Sequence, residues 1–132
     1  MKIRDLKAVI VDDAAVKSIH IKRALQFCGV ENIVMFDHQE ALWEYLETSE
    51  ADLIVTDMHY PLAKGEKENE EAGFILLEKM KQREHPIPVI ITALSTRFIS
   101  SRASPINFTT VLCIQPGQNP DTLSSWIVFV LE

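Results

Sequence analysis

Apolar positions along this chain switch between two periods. Residues 7–11, KAVIV, form a short run rich in Val and Ile that ends at Asp12-Asp13. A run this brief and this apolar predicts a strand buried on both faces. From Ala14 to Cys28 the period lengthens. Val16, Ile19, Ala24, Leu25 and Cys28 fall near helical spacing with Lys17, Lys22 and Arg23 between them, and Gly29 follows as a stop. Asn32–Phe36 predicts a second strand, and Asp37 with Glu40 three residues on has the form of a capping box. The helix it opens carries Ala41, Leu42, Tyr45 and Leu46. A third strand, Asp52–Thr56 (DLIVT), ends at Asp57.

The second half repeats the alternation with more irregular joints. After Asp57 comes a long charged loop, MHYPLAKGEKENEEA, before a helix over Gly73–Gln82. Pro88–Thr92 (PVIIT) predicts a fourth strand and Thr109–Ile114 a fifth, with an ambiguous polar stretch over 95–108. Asn119-Pro120 suits an N-cap followed by Pro at the first helical position, opening a last helix over Asp121–Leu131. Five alternations of strand and helix predict an α/β fold: a parallel five-stranded sheet with helices on both faces. Residues 1–132 then form a single domain.

Composition adjusts this picture only slightly. Apolar residues make up 47% of the chain, enough for a real core. A net charge of −6 argues against a nucleic-acid-binding surface. No apolar run approaches the roughly 20 residues needed to cross a bilayer. The start, MKIRDLKAVIVDD, lacks the features of a signal peptide. A cytoplasmic protein with no membrane partner is the expectation. Cys28 and Cys113 sit in apolar surroundings without metal-ligand spacing and read as reduced core thiols.

The candidate chemistry lies at the strand ends. In open parallel sheets ligands bind beyond the carboxyl ends of the strands. Asp12 and Asp13 end the first strand and Asp57 ends the third, so all three share that edge. Each alone has an ordinary reading: Asp13 as a helix cap, Asp57 as a solvated turn residue. Together they repel unless a cation neutralises them. Hard oxygen ligands suit Mg²⁺, which takes one or two carboxylates plus phosphate oxygens.

At these residues the chain resembles the receiver domain of two-component response regulators. The resemblance covers essentially the whole chain. It rests on VIVDD at 9–13, DLIVTDMHYP at 52–61, AGFILL at 72–77, PVIITA at 88–93 and QP at 115–116. The separation of 44 residues between Asp13 and Asp57 also suits the family. It implies a doubly wound, flavodoxin-like sheet with strand order 2-1-3-4-5. It implies Asp57 as phosphoacceptor, attacking a phosphohistidine or acyl phosphate to form an aspartyl phosphate. Mg²⁺ would be held by Asp12, Asp13, Asp57 and the backbone carbonyl of His59, with Asp12 acting largely through a water. The His59 side chain reads as an exposed loop histidine. Thr92 would hydrogen-bond the phosphoryl group, its plainer reading being an ordinary β-branched strand residue, and Ala93 would leave room beside it.

Three departures bear on function. Gln115-Pro116 stands where the family has Lys-Pro, so a neutral donor replaces an ammonium. A cis bond before Pro116 is expected. Leu112 stands where an aromatic residue would rotate inward. The loop around Lys64-Gly65-Glu66-Lys67-Glu68-Asn69 is longer than the family's. It reads as a solvated insertion or, more sharply, as a lid in which Lys64 or Lys67 replaces the missing ammonium; Arg97 is a further candidate. The terminal helix is apolar nearly all round and suggests a homodimer or partner surface.

Two functions are therefore weighed. One is a receiver that accepts phosphate from a sensor histidine kinase or phosphotransfer protein and signals to an output protein by contact. The other is a phosphorylation-independent pseudo-receiver, a binding or dimerisation module. A metal-dependent hydrolase or nucleotide enzyme is disfavoured, because no P-loop or G-x-G-x-x-G sequence is present.

Overall fold

The computed structural model describes residues 5–93 and 109–113; for Ala93 and 109–113 it describes the backbone only. In chain order the elements are β1 (Lys7–Val11), α1 (Ala15–Phe27), β2 (Asn32–Phe36), α2 (Gln39–Thr48), β3 (Leu53–Asp57), the two-residue strands β4 (Tyr60–Pro61) and β5 (Glu68–Asn69), α3 (Ala72–Lys81), β6 (Val89–Ala93) and β7 (Thr109–Cys113). The long strands form one parallel sheet in the order β2-β1-β3-β6-β7, which is 2-1-3-4-5 when only long strands are numbered. The chain therefore has the expected flavodoxin-like α/β fold. Among the described residues, no helix is long and apolar enough to cross a membrane.

Side chains on the central strands alternate between two cores, as a period of two requires. Ala8 and Ile10 of β1, Leu53 and Val55 of β3 and Ile90 of β6 meet Ile21, Ala24 and Leu25 of α1. Val9, Val11, Ile54, Val89 and Ile91 point the other way, toward Leu42 of α2 and Phe74, Leu76, Leu77 and Met80 of α3. All are buried. A fully buried side chain of this kind contributes about 1.5–3 kcal/mol relative to exposure. These layers fix the height at which each strand ends, and so align the carboxyl ends of β1 and β3.

The helix ends show where local signals hold and where they fail. α1 stops as expected at Gly29. That residue takes φ +98°, with Gly29 N–H donating to the Gln26 carbonyl (2.9 Å) and Val30 N–H to the Leu25 carbonyl (3.0 Å). This is the Schellman pattern, which glycine enters without Cβ strain. Two expectations differ. The buried face of α1 is Ser18, Ile21, Ala24 and Leu25, while Val16 (71% exposed) and Ile19 face solvent. The capping box at α2 also does not form: His38 is the N-cap residue and no side chain caps. The Asp37 carboxylate pairs with His38 Nδ1 at 2.8 Å instead. The orphan first-turn N–H of Glu40 donates to the Leu62 carbonyl at 2.8 Å, a partner far in sequence that satisfies what the box would have satisfied.

That last bond ties the inserted loop to α2. β4 and β5 pair antiparallel, Tyr60 with Asn69 and Pro61 with Glu68, and Asn69 Oδ1 accepts from Glu71 N–H at 2.8 Å. The insertion is thus a short hairpin with an exposed tip over 64–68. Arg97, the polar stretch at 95–108, Gln115-Pro116 with its cis bond, and the terminal helix with its dimer surface lie outside the described residues, as do the side chains of Ala93, Leu112 and Cys113. Cys28 is half-buried against the α1-side core.

Candidate metal and phosphoryl site

The sheet topology sets the site. Asp12 follows β1 and extends its ladder by one bond, its N–H donating to the Phe36 carbonyl at 3.0 Å. Asp57 is the last residue of β3 and sits in register with Thr92 on β6. The strand order reverses here: β1 continues outward to β2, whereas β3 continues to β6. At this edge one carboxylate oxygen from each of Asp12, Asp13 and Asp57 lies within 4.8 Å of the others. The three predicted acids therefore meet.

Their environments differ. Asp12 is buried, Asp57 half-buried and Asp13 exposed. Asp12 Oδ1 accepts from Ala14 N–H at 2.8 Å. Its second oxygen, Oδ2, is buried without a hydrogen-bond partner. Burial first, and then the charge of Asp57, push the Asp12 carboxyl up to about 7, against the Ala14 hydrogen bond and the charge of Lys17. Partial burial and the charges of Asp57 and Asp37 also raise Asp13. Asp13 does not cap α1, whose N-cap residue is Ala14.

Lys17 is the residue that sequence reasoning missed. Its Nζ lies 2.6 Å from Asp57 Oδ1 and 3.9 Å from Asp12 Oδ2. It stands on the first turn of α1, four residues before Ile21 and seven before Ala24, and so shares the buried face of the helix. The apolar spacing includes Val16 and Ile19, which face solvent, and so puts Lys17 among the solvated positions. A lysine that opens the buried stripe, at the end nearest the carboxyl edge, was the available signal. Lys64, the candidate from the inserted loop, is exposed and acts by its charge on Asp37.

The other side of Asp57 is neutral and tightly packed. Thr56 Oγ1 hydrogen-bonds the Asp57 carbonyl (2.9 Å) and Tyr60 Oη (2.7 Å). Gln39 Nε2 donates to Tyr60 Oη (3.1 Å) and to the Ala72 carbonyl (2.9 Å), and Trp43 Nε1 donates to Gln39 Oε1 (3.0 Å). Tyr60, Thr56 and Gln39 are buried, and burial pushes the Tyr60 phenol above its ordinary value. Gly73 lets α3 press against this loop. A Cβ there would sit 2.8 Å from the Asp57 carbonyl oxygen and 3.1 Å from Met58 Cα.

The remaining predicted residues fall around this centre. Thr92 is buried beside Asp57, and its hydroxyl donates to the Thr56 carbonyl at 3.4 Å. His59 is exposed, two residues past Asp57. Asp57 Oδ1 accepts from Met58 N–H (2.8 Å) as well as from Lys17. Two donors on one oxygen orient the carboxylate. Three carboxylates and one ammonium leave two negative charges when all are ionised. Two like charges 4 Å apart repel by about 4 kcal/mol at an effective dielectric near 20. A divalent cation with hard oxygen preference fits that charge, that donor set and the unpartnered Asp12 Oδ2.

No family model and no curated protein matches the chain. Solved structures do match over nearly all of it. The chemotaxis response regulator CheY4 of Vibrio cholerae aligns at TM-score 0.71 and 16% identity, covering 95% of this chain and 98% of the other. A receiver domain of a signal transduction histidine kinase from Syntrophus aciditrophicus aligns at TM-score 0.71 and 20% identity, covering 96% and 89%. The receiver domain of the PhyR response regulator of Erythrobacter litoralis aligns at TM-score 0.71 and 14% identity, covering 96% and 89%. The chain has the fold of response-regulator receiver domains.

Proposed function

We propose that this chain is a receiver domain that accepts a phosphoryl group on Asp57 with Mg²⁺ and signals by protein–protein contact. The observation that carries the reading is the meeting of Asp12, Asp13 and Asp57 at the switch point of this sheet, with Asp12 Oδ2 buried and unpartnered. Asp12, Asp13, Asp57 and the His59 carbonyl would hold the Mg²⁺. When bound, it would neutralise charge on the carboxylates and on the transferring phosphoryl oxygens.

Asp57 Oδ2 attacks phosphorus while Oδ1 stays held by Met58 N–H. The bond from phosphorus to the donor's imidazole nitrogen or acyl oxygen breaks, and the leaving group keeps its electron pair. Thr92 turns its hydroxyl from the Thr56 carbonyl to a phosphoryl oxygen, and Gln115 offers a neutral amide donor. The phosphate donor is a sensor histidine kinase or phosphotransfer protein in the cytoplasm, and an output protein reads the result. The chain acts on no substrate beyond its own aspartate.

Incubation with acetyl phosphate and Mg²⁺ tests this. Intact-mass analysis is expected to show one added phosphoryl group, absent in Asp57→Asn and absent with a chelator. An unmodified wild-type protein would favour the second reading, a phosphorylation-independent binding module. Lys17, already paired with Asp57 inside the acid cluster, and Gln115 at the family's lysine position speak for that module.

A further inference from the structure

We propose that Lys17 is a built-in counter-ion of the acid cluster that competes with the divalent metal, so that metal enters only as its ammonium leaves. The inference rests on the metal-site reading above and adds what regulates that site. Its ground is geometry. Lys17 Nζ faces oxygens from two different strand ends, Asp57 Oδ1 at 2.6 Å and Asp12 Oδ2 at 3.9 Å. These acids belong to the set whose oxygens converge within 4.8 Å. The ammonium therefore lies against two of the three carboxylates that would hold a metal. Asp12 Oδ2 receives no hydrogen bond from it at that distance and remains the oxygen with unused ligand capacity.

The chemistry makes the two cations exclusive. Mg²⁺ demands short, near-octahedral contacts and keeps its own waters. An ammonium hydrogen-bonded to one of the same oxygens repels it and fills the space those waters need. Lys17 can yield. Its side chain is 16% exposed, so solvent reaches it, and a lysine is a point charge on a flexible four-carbon stem. It arises from helix α1, which follows Asp12 and Asp13 in the chain. Gln115 adds no charge to offset its departure.

Calorimetric titration of the full chain with MgCl₂ alone, without any phosphate donor, tests this. Lys17→Gln is expected to bind Mg²⁺ about tenfold more tightly than wild type, because it removes an opposing charge next to the ion. Lys17→Arg, which keeps the charge, is expected to stay near wild type. Equal Mg²⁺ affinity in wild type and Lys17→Gln overturns the inference and leaves the metal site standing. Absence of Mg²⁺ binding in both overturns the inference together with the metal site. A second readout needs no variant. The Lys17 ¹⁵Nζ resonance, slowed in exchange by its ion pair, is expected to be lost as Mg²⁺ saturates the wild-type protein. A resonance that persists unchanged at saturation overturns the inference.

Discussion

The two flanks of Asp57 are held by different physics. On the α1 side stand charges: Asp12, Asp13 and Lys17, partly reached by solvent and incompletely satisfied. On the side of α2 and α3 stand neutral groups: Thr56, Tyr60 and Gln39 in a buried hydrogen-bond chain, with Gly73 closing the backbone contact. The charged flank can exchange partners at moderate cost, because Asp13 and Lys17 reach water and its favourable contacts are replaceable. The neutral flank cannot, because every buried donor left without an acceptor costs about 1–3 kcal/mol. One flank is suited to chemistry and the other to holding the reacting residue still. Substitutions should therefore separate: those on the neutral flank move stability, and those on the charged flank move ion binding and pH dependence.

The sharpest way to break this division is Gly73→Ala. The added methyl meets backbone first, the Asp57 carbonyl at 2.8 Å and Met58 Cα at 3.1 Å, and then Cγ2 of the buried Ile91 at 3.2 Å. Overpacking of this kind costs about 1–3 kcal/mol, and contact with fixed backbone argues for the upper end, about 3 kcal/mol. Urea denaturation of the metal-free protein measures it. A loss below the error of the method would mean that α3 slides away freely and that the neutral flank is not rigid.

The charged flank gives the next effect, in pH. The Asp12 carboxyl titrates at about 7 in the folded chain, raised by burial and by Asp57. In the unfolded chain it returns to an ordinary carboxylate. Between these values the folded state holds the extra proton. The stability this confers is full at low pH and is lost as pH rises through about 7. Metal-free protein is thus expected to lose about 2 kcal/mol between pH 5 and pH 8, and Asp12→Asn to flatten that slope. Saturating Mg²⁺ should reverse the wild-type trend, since the ionised form is the ligand. Denaturation curves at both pH values, with chelator and with Mg²⁺, are the measurement. Tyr60→Phe belongs to the other flank and is smaller. Losing the hydroxyl from Thr56 and Gln39 should cost about 1 kcal/mol and leave Mg²⁺ affinity unchanged.

The same contrast explains what is legible in the sequence. The strands were legible because burial on both faces writes Val and Ile continuously, as in KAVIV and DLIVT. The meeting of Asp12, Asp13 and Asp57 was legible because strand ends in parallel sheets share one edge. The partners of these acids were not. Lys17 is separated from Asp57 by 40 residues, and a helical lysine says nothing about its reach until the helix rotation is known. Val16 and Ile19 fit the apolar spacing but face solvent, so the spacing puts Lys17 on the wrong face. The Gln39–Tyr60 bond spans 21 residues and the Gln39–Ala72 bond 33. Long-range polar pairs leave no periodic trace. The capping box failed for a related reason: a carbonyl from the inserted loop, at Leu62, met the donor that local chemistry seemed to need.

The smallest expected effect sharpens the comparison from outside both flanks. Lys64 lies in the exposed hairpin tip, and its charge acts on Asp37, itself exposed and paired with His38. A lid would require this lysine to serve the phosphoryl site, and Lys64→Ala would then lower the yield of phosphorylated Asp57. Among the described residues it is Lys17, on α1, and not Lys64 that pairs with Asp57. Exposed single charges contribute little, within about 0.5 kcal/mol. Lys64→Ala is accordingly expected to leave urea stability, Mg²⁺ affinity and phosphorylation by acetyl phosphate at wild-type values. A marked drop in phosphorylation alone would move the second cation of the site from the helix to the hairpin. The charged flank would then extend beyond α1, and the hairpin would have to be counted among the elements that close over Asp57.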